Sequence, residues 1–424
     1  MSNEYQISRR NFIFESAAAV GVFSLTTGAF LTGYLKNIGF SEELNGLMGA
    51  IPVLAGIIQI FSFSVFESME KRKPLIAVLC LIFRLLLGIM FFIPLLIKDS
   101  FFRIALVIII YFIAYSISAF IGPPTSEWIV DVTPIDIRGR YLAKKDAFAL
   151  AFVTVLTLIF GKILDVYKNT SNAYSGFIVV GVAIIIMAAV DFYYLLSISE
   201  PKRTKEKIAM SMKGMFIKVL KHQEFRKVII LSILWNLSFQ IAGPFFSVYM
   251  VVNLKLAYSY IMILGVIGSV SRVLTVRVWG KMADKRGWTF VTEVSLAMLA
   301  ITNTIWFFVD AQTAVVLLPI ISFIGGITWG GLGIALFNIQ FVYAPEDCKI
   351  AYIGMSGALG SVLGFLSTYI GALLLKGLGN TQFNILSITI SNMQILFILS
   401  GILLLLTAGY VKRSFKENIQ IHVK

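Results

Sequence analysis

Three observations predict an all-α integral membrane protein with twelve transmembrane helices in two pseudo-symmetric six-helix bundles. The chain is too apolar for water: 58% of its 424 residues are hydrophobic, 14% are charged, and the mean hydropathy is +0.87, well above a soluble domain of this length. Its basic residues fall in short segments that alternate in density between apolar runs. Its second half also echoes its first at an offset of about 211 to 215 residues. Gly28 and Tyr34 recur as Gly243 and Tyr249, and Glu70-Lys71-Arg72 recurs as Asp284-Lys285-Arg286. Pro134-x-Asp136-x-Arg138-x-x-Tyr141 recurs as Pro345-x-Asp347-x-Lys349-x-x-Tyr352. Duplicated membrane bundles commonly enclose a solute pathway between them.

Each span must cross a hydrocarbon core of roughly 30 Å at about 1.5 Å per residue. Twelve apolar runs meet that length: 12–34, 46–66, 75–97, 102–126, 146–164, 174–197, 227–250, 258–281, 289–309, 313–341, 352–375 and 385–411. The first is read as a retained span, because it is too long for a signal-peptide core and lacks a convincing cleavage site. Counted alternately by side, the connecting segments hold 26 Lys and Arg on one side and 7 on the other, with Arg84, Arg272 and Arg277 inside spans. The rule that basic loops stay inside places both termini in the cytoplasm, and the expected location is the plasma membrane. The net charge of +14 is therefore topology information and not a nucleic-acid footprint.

Six spans per half start both halves on the same side, so the repeats are parallel. The boundaries are an N-terminal bundle 1–198, a linker 199–226, a C-terminal bundle 227–411 and a cytoplasmic tail 412–424. In the linker, Met212, Met215, Phe216 and Val219 follow i, i+3, i+4, i+7 spacing with Lys213, Lys218 and Lys221 interleaved, the pattern of an amphipathic helix on the inner membrane surface. It serves as a linker or as a lipid-sensing element. Cys80 and Cys348 stand far apart and suggest neither a disulfide nor a metal site.

Gly280-Lys-Met-Ala-Asp284-Lys-Arg-Gly287, between spans 8 and 9, carries the pattern G-x-x-x-D-x-x-G. Phe66-Glu-Ser-Met-Glu70-Lys71-Arg72-Lys73, between spans 2 and 3, is a copy without either glycine. Together with the segment from Glu127 through Asp131 and Arg138 to Tyr141, these loops resemble the signature segments of the major facilitator superfamily of secondary transporters. The resemblance in topology covers essentially the whole chain. It implies alternating access and a latch formed by Glu70, Arg72, Asp131, Arg138, Gly280, Asp284, Arg286 and Gly287 at the cytoplasmic helix ends. The other reading of these charges is simple positive-inside anchoring.

The resemblance also implies that spans 1, 4, 7 and 10 face a central cavity. In span 7, Asn236, Gln240, Gly243 and Ser247 form one small and polar stripe. Span 4 carries Tyr111, Tyr115, Ser118 and Gly122, and span 10 carries Ser322, Gly326, Trp329 and Gly333. Tyr115, Asn236, Gln240 and Trp329 are candidates to line the pathway; close helix packing with amides as glue is the competing reading. The glycines of span 10 mark it as a candidate moving element, and those of span 11 suggest close contact with a neighbour.

Among the intramembrane charges, Glu15 and Glu293 read as shallow, able to reach water or pair locally. Arg84 and Asp191 lie at similar depth and read as a structural pair. Arg272, about 21 Å along span 8, has no acidic residue left at its depth and is the functional candidate; snorkelling beside Arg277 is the alternative.

A secondary transporter moving a small organic solute, not an enzyme and without cofactor, fits best, since no G-x-x-x-x-G-K-[ST] loop is present. A proton or other cation is a candidate coupling partner, the lipid bilayer is the other partner, and the expected state is a monomer. A drug/proton antiporter is the narrower alternative, but span 5 lacks the proline of that group's signature. A transport-inactive sensor or scaffold is the alternative of another class, disfavoured by polar groups held at depth.

Overall fold

The computed structural model describes residues 3–66, 69–168, 170, 172–200, 219–345, 349–379, 383–385 and 388–415. The amphipathic pattern at 212–218, Asp347, Cys348 and most of the tail lie outside them, as does the side chain of Arg138. Ten helices among the described residues have the length and apolarity of a membrane span, and the bent pair Glu4–Leu25 and Gly28–Asn37 makes eleven. One of the ten, Tyr258–Phe308, is 51 residues long. It breaks at Gly287, whose φ of 83° and ψ of 164° are not helical, so it is two predicted spans in succession and the tally reaches twelve.

The chain divides into two compact units, one of Met1–Ala209 with Met250–Met262, the other of Met210–Tyr249 with Ile263–Lys424. In the first, span 1 (Asn3–Leu25 and Gly28–Asn37) packs on span 5 (Ile135–Lys168) and span 6 (Ser175–Leu196). Span 3 (Lys73–Met90) packs between span 6 and span 4 (Ser100–Asp131). Asp165 of span 5 accepts from the backbone N–H groups of Tyr258 and Ser259 at 2.7 and 2.8 Å, capping the helix that begins there. In the second unit, span 7 (Gln223–Gln240) packs on span 11 (Lys349–Leu378), span 12 (Asn392–Ser414) and span 10 (Ala314–Tyr343). Within lipid such contacts are held by close packing and interhelical hydrogen bonds, because tails are as apolar as the side chains they replace.

The echoes in the sequence are pins at equivalent places. Tyr34 donates its hydroxyl to the carbonyl of Met90 at 2.6 Å, at the end of span 3. Tyr249 donates to Val309 at 2.6 Å, at the end of span 9. Tyr141 donates to the carbonyl of Arg9 at the start of span 1, and Tyr352 sets its ring against His222 and Phe225 at the start of span 7. A further echo stands at the same offset: Asp99 caps span 4 through the N–H of Phe102, and Asp310 accepts from the N–H groups of Gln312 and Thr313 before span 10.

Four expectations need correction. Span 12 begins at Asn392 and not at 385, with Ser391 and Gln394 forming a reciprocal cap. The β-branched residues before it instead form strands Phe383–Ile385 and Ile388–Ile390, paired antiparallel. Glu15 does not reach water: it is 5% exposed and its side chain lies 3.5 Å from Arg84. Span 10 is unbroken over 30 residues. Its glycines serve close approach to span 8, since a Cβ on Gly326 would lie 2.0 Å from Ser271 Oγ and 2.1 Å from the Gly268 carbonyl. On span 11, Gly360 and Gly364 make the close contact expected there, against Asn236, whereas Gly354 and Gly357 face open space.

Candidate functional site

Both first spans of the two units are interrupted. Span 1 breaks at Thr26–Gly28, where Gly28 takes φ +56°, a conformation that glycine adopts without steric cost. Span 4 secures this break: Tyr111 donates to the carbonyl of Thr26 at 3.0 Å, and the Tyr115 hydroxyl shares a 3.1 Å hydrogen bond with Thr26 Oγ1. Tyr115 is 6% exposed, committed to the break and beside Phe23 at its edge. Span 7 breaks after Gln240, where Pro244 supplies no N–H. Here span 11 provides the bonds, with Ser367 donating to the carbonyl of Leu237 and Thr368 to that of Gln240 at 2.7 and 2.8 Å.

Asn236 donates to the Ser232 carbonyl of its own helix and sits over Gly360 and Gly364. Gln240 also lies near Gly364. The stripe is thus turned toward span 11, and both amides are half-buried. On the neighbouring face of span 7 stand Trp235 and Phe239, stacked at 5.1 Å, with Trp329 of span 10 edge-on to both at 5.7 and 5.3 Å. All three rings are half-buried. Arg272 is exposed and forms no ion pair among the described residues. Its guanidinium lies over Gly333, where a Cβ would meet Nη2 at 3.3 Å. Gly333 is one helical turn from Trp329, so cation and aromatic cluster share one side of span 10. Trp235 and Phe239 are the members that the sequence reading missed; their i, i+4 spacing beside the polar stripe was the available signal.

A second polar group lies in the first unit. Arg84 is 3% exposed and pairs with Asp191 through Nη1, while its Nη2 lies 3.5 Å from Glu15 Oε1. The expected Arg84–Asp191 pair is present and has a third member. Glu293, by contrast, stands 3.8 Å from Lys412. Arg277 is exposed.

The two loop copies differ. Arg72 is buried, donating from Nε to the Phe66 carbonyl at 2.6 Å and pairing with Glu127 at 2.6 Å. Glu200, absent from the sequence-derived latch, accepts from the backbone N–H groups of Arg72 and Lys73. Glu70 and Asp131 are exposed. In the other copy Asp284, Lys285 and Arg286 are all exposed, with Arg286 over the Phe290 ring at 4.8 Å. Gly280 has nothing within 4 Å of a Cβ position, and Gly287 makes the chain reversal.

Residues 12–368 match the sequence profile of the major facilitator superfamily. The chain belongs to that superfamily. It is a multi-pass membrane protein built as a secondary transporter. Among solved structures, this superfamily member is similar to the nucleoside transporter NupG, with TM-score 0.67 and 15% identity over 98% of this chain and 100% of that one. It is similar to a D-xylose-proton symporter, with TM-score 0.66 and 13% identity over 97% of each chain. A bacterial metal transporter also aligns, with TM-score 0.66 and 11% identity over 98% of this chain and 99% of that one. At these identities the likeness is one of fold. No curated protein sequence matches the chain.

Proposed function

We propose that this transporter moves a small organic solute with an electron-rich group and a flat or ring-shaped apolar face, bound beside Trp235, Phe239, Trp329 and Arg272. The observation that carries the reading is the exposed guanidinium of Arg272 over Gly333, one turn from the Trp329 ring. A cation at membrane depth without a carboxylate partner needs water or a ligand, and aromatic faces supply area for a ring or sugar face. A fixed positive charge there also disfavours a metal ion as cargo. Nucleosides and pentoses have these features, and two of the solved relatives carry a nucleoside and D-xylose. Asn236 and Gln240 support span 7 from behind, against span 11, and Tyr115 supports the break in span 1.

The loop charges act on the conformational cycle and not on solute affinity, because they sit at helix ends. The protein functions as a monomer in the plasma membrane with both termini in the cytoplasm, the last being the topology that the 26 to 7 asymmetry of basic residues supports. Uptake of labelled nucleosides and D-xylose into proteoliposomes, with and without a pH gradient, tests the proposal. Trp329→Ala and Arg272→Gln should each abolish most uptake, and Arg272→Lys should not restore it. Wild-type uptake in Arg272→Lys would assign the residue to snorkelling. Asp284→Asn should slow exchange while equilibrium binding of the transported solute holds. Lys202→Cys and Lys376→Cys should be labelled from opposite sides.

A further inference from the structure

The group around Arg84 has more negative than positive charge. Glu15 of span 1 and Asp191 of span 6 both face one guanidinium from span 3, and the three side chains are 5%, 0% and 3% exposed. The neighbours do not correct the imbalance. Span 5 brings Lys145, but its ammonium donates to Ser16 Oγ at 3.2 Å and pairs with Asp146 at 2.9 Å. Tyr141 of span 5 is committed to the Arg9 carbonyl. Span 3 adds the Cys80 thiol beside the guanidinium and the Phe83 ring, 4.8 Å from it. Span 4 adds no ionisable group to the cluster among the described residues.

The two carboxyls also converge on the same end of one guanidinium, Asp191 Oδ2 on Nη1 and Glu15 Oε1 3.5 Å from Nη2. Two ionised carboxylates have only acceptors to offer there, and Asp191 Oδ1 is fully buried without a donor. Like charges so close in a dry site cannot both ionise at low cost. One proton between them supplies the missing donor and makes the cluster neutral.

We propose that Glu15, Arg84 and Asp191 form a proton-binding site in which the two carboxyls share one exchangeable proton. Lys145, with a side chain 14% exposed, and Asp146, 73% exposed, connect the neighbourhood of Glu15 to the surface. Turning Lys145 from Asp146 to Glu15 would replace the proton's charge, so release needs only one side chain to move. The site stands on its own geometry and is independent of which solute is carried.

Infrared spectroscopy of the full chain in lipid vesicles reads this proton without any solute. The wild type at neutral pH should show a protonated carboxylic acid carbonyl band that shifts in D2O. Glu15→Gln and Asp191→Asn each leave one carboxylate facing Arg84, so each should lose that band, while Glu293→Gln should keep it. Folding of each variant is checked by its amide bands, and the wild-type isotope shift stands even if one variant fails to fold. A wild-type spectrum without the band, or a band retained in either folded variant, would overturn the proposal.

Discussion

The loops between spans 2 and 3 and between spans 8 and 9 carry matching charges, Glu70-Lys71-Arg72 and Asp284-Lys285-Arg286, yet those charges have different surroundings. In the second, the turn is in the backbone: Gly287 takes φ 83° and ψ 164°, and Asp284, Lys285 and Arg286 are left exposed. In the first no glycine is present, and Arg72 keeps φ −97°. Among its described residues side chains do the holding, with Arg72 buried on the Phe66 carbonyl and Glu127, and Glu200 accepting from two backbone N–H groups. The copy without glycine is tied by hydrogen bonds at Arg72 and Lys73, whereas the other relies on the backbone conformation of Gly287. The two arginines at matching positions, Arg72 and Arg286, are therefore expected to differ in their contribution.

The largest test of this contrast is Arg72→Ala against Arg286→Ala. Loss of the buried guanidinium should cost about 2–4 kcal/mol, read by denaturant titration in mixed micelles, whereas loss of exposed Arg286 should change little. Equal effects would erase the distinction. Next comes Gly287→Ala, which forces a side chain into a region nearly closed to it and should cost about 1–3 kcal/mol. Gly280→Ala, in open space within a helix, should be neutral or stabilising by up to about 1 kcal/mol. Glu200→Gln keeps the shape but weakens two charge-assisted bonds, for roughly 1 kcal/mol.

The smallest effect concerns the caps Asp99 and Asp310. The N–H of Thr313, followed by its hydroxyl and the N–H of Gln312, holds the Asp310 carboxyl below the usual carboxylate range. A lowered value in the folded chain means a contribution fully present above the unfolded value of about 3.9. That contribution is lost as pH falls through the lowered one. Asp310→Ala should flatten the acid limb of a stability profile slightly, and an unchanged limb would show that this turn carries no linkage.

Hydropathy and the distribution of Lys and Arg made the spans legible, because membrane crossing constrains composition over twenty residues at a time. What they could not reveal depends on which neighbour a residue meets. Asn236 and Gln240 read as a stripe, but only the positions of Gly360 and Gly364 show it turned to span 11. Glu15 read as shallow because the polar residues before it looked like a tail, whereas they form the first turns of its helix. Glycine density in span 10 suggested bending, and tertiary packing put those glycines against span 8 instead. Ile388 and Ile390 were counted as span because a hydropathy window does not separate a β-branched ribbon from a helix.

The glycine seam between spans 8 and 10 has a mechanical consequence. At Gly326 the two backbones meet with no room for even a methyl group, and Gly330 faces the carbonyl of Arg272 across the same seam. Trp279 of span 8 also lies against Gly331 and donates from Nε1 to the carbonyl of Ile327 at 2.8 Å, so a tilt in one helix should be carried into the other. Arg272 and Trp329 ride on opposite members of that pair. A pair so joined should hold the spacing of Arg272 and Trp329 fixed when either helix moves, and the proposed site would then keep the same charge and ring throughout a transport cycle.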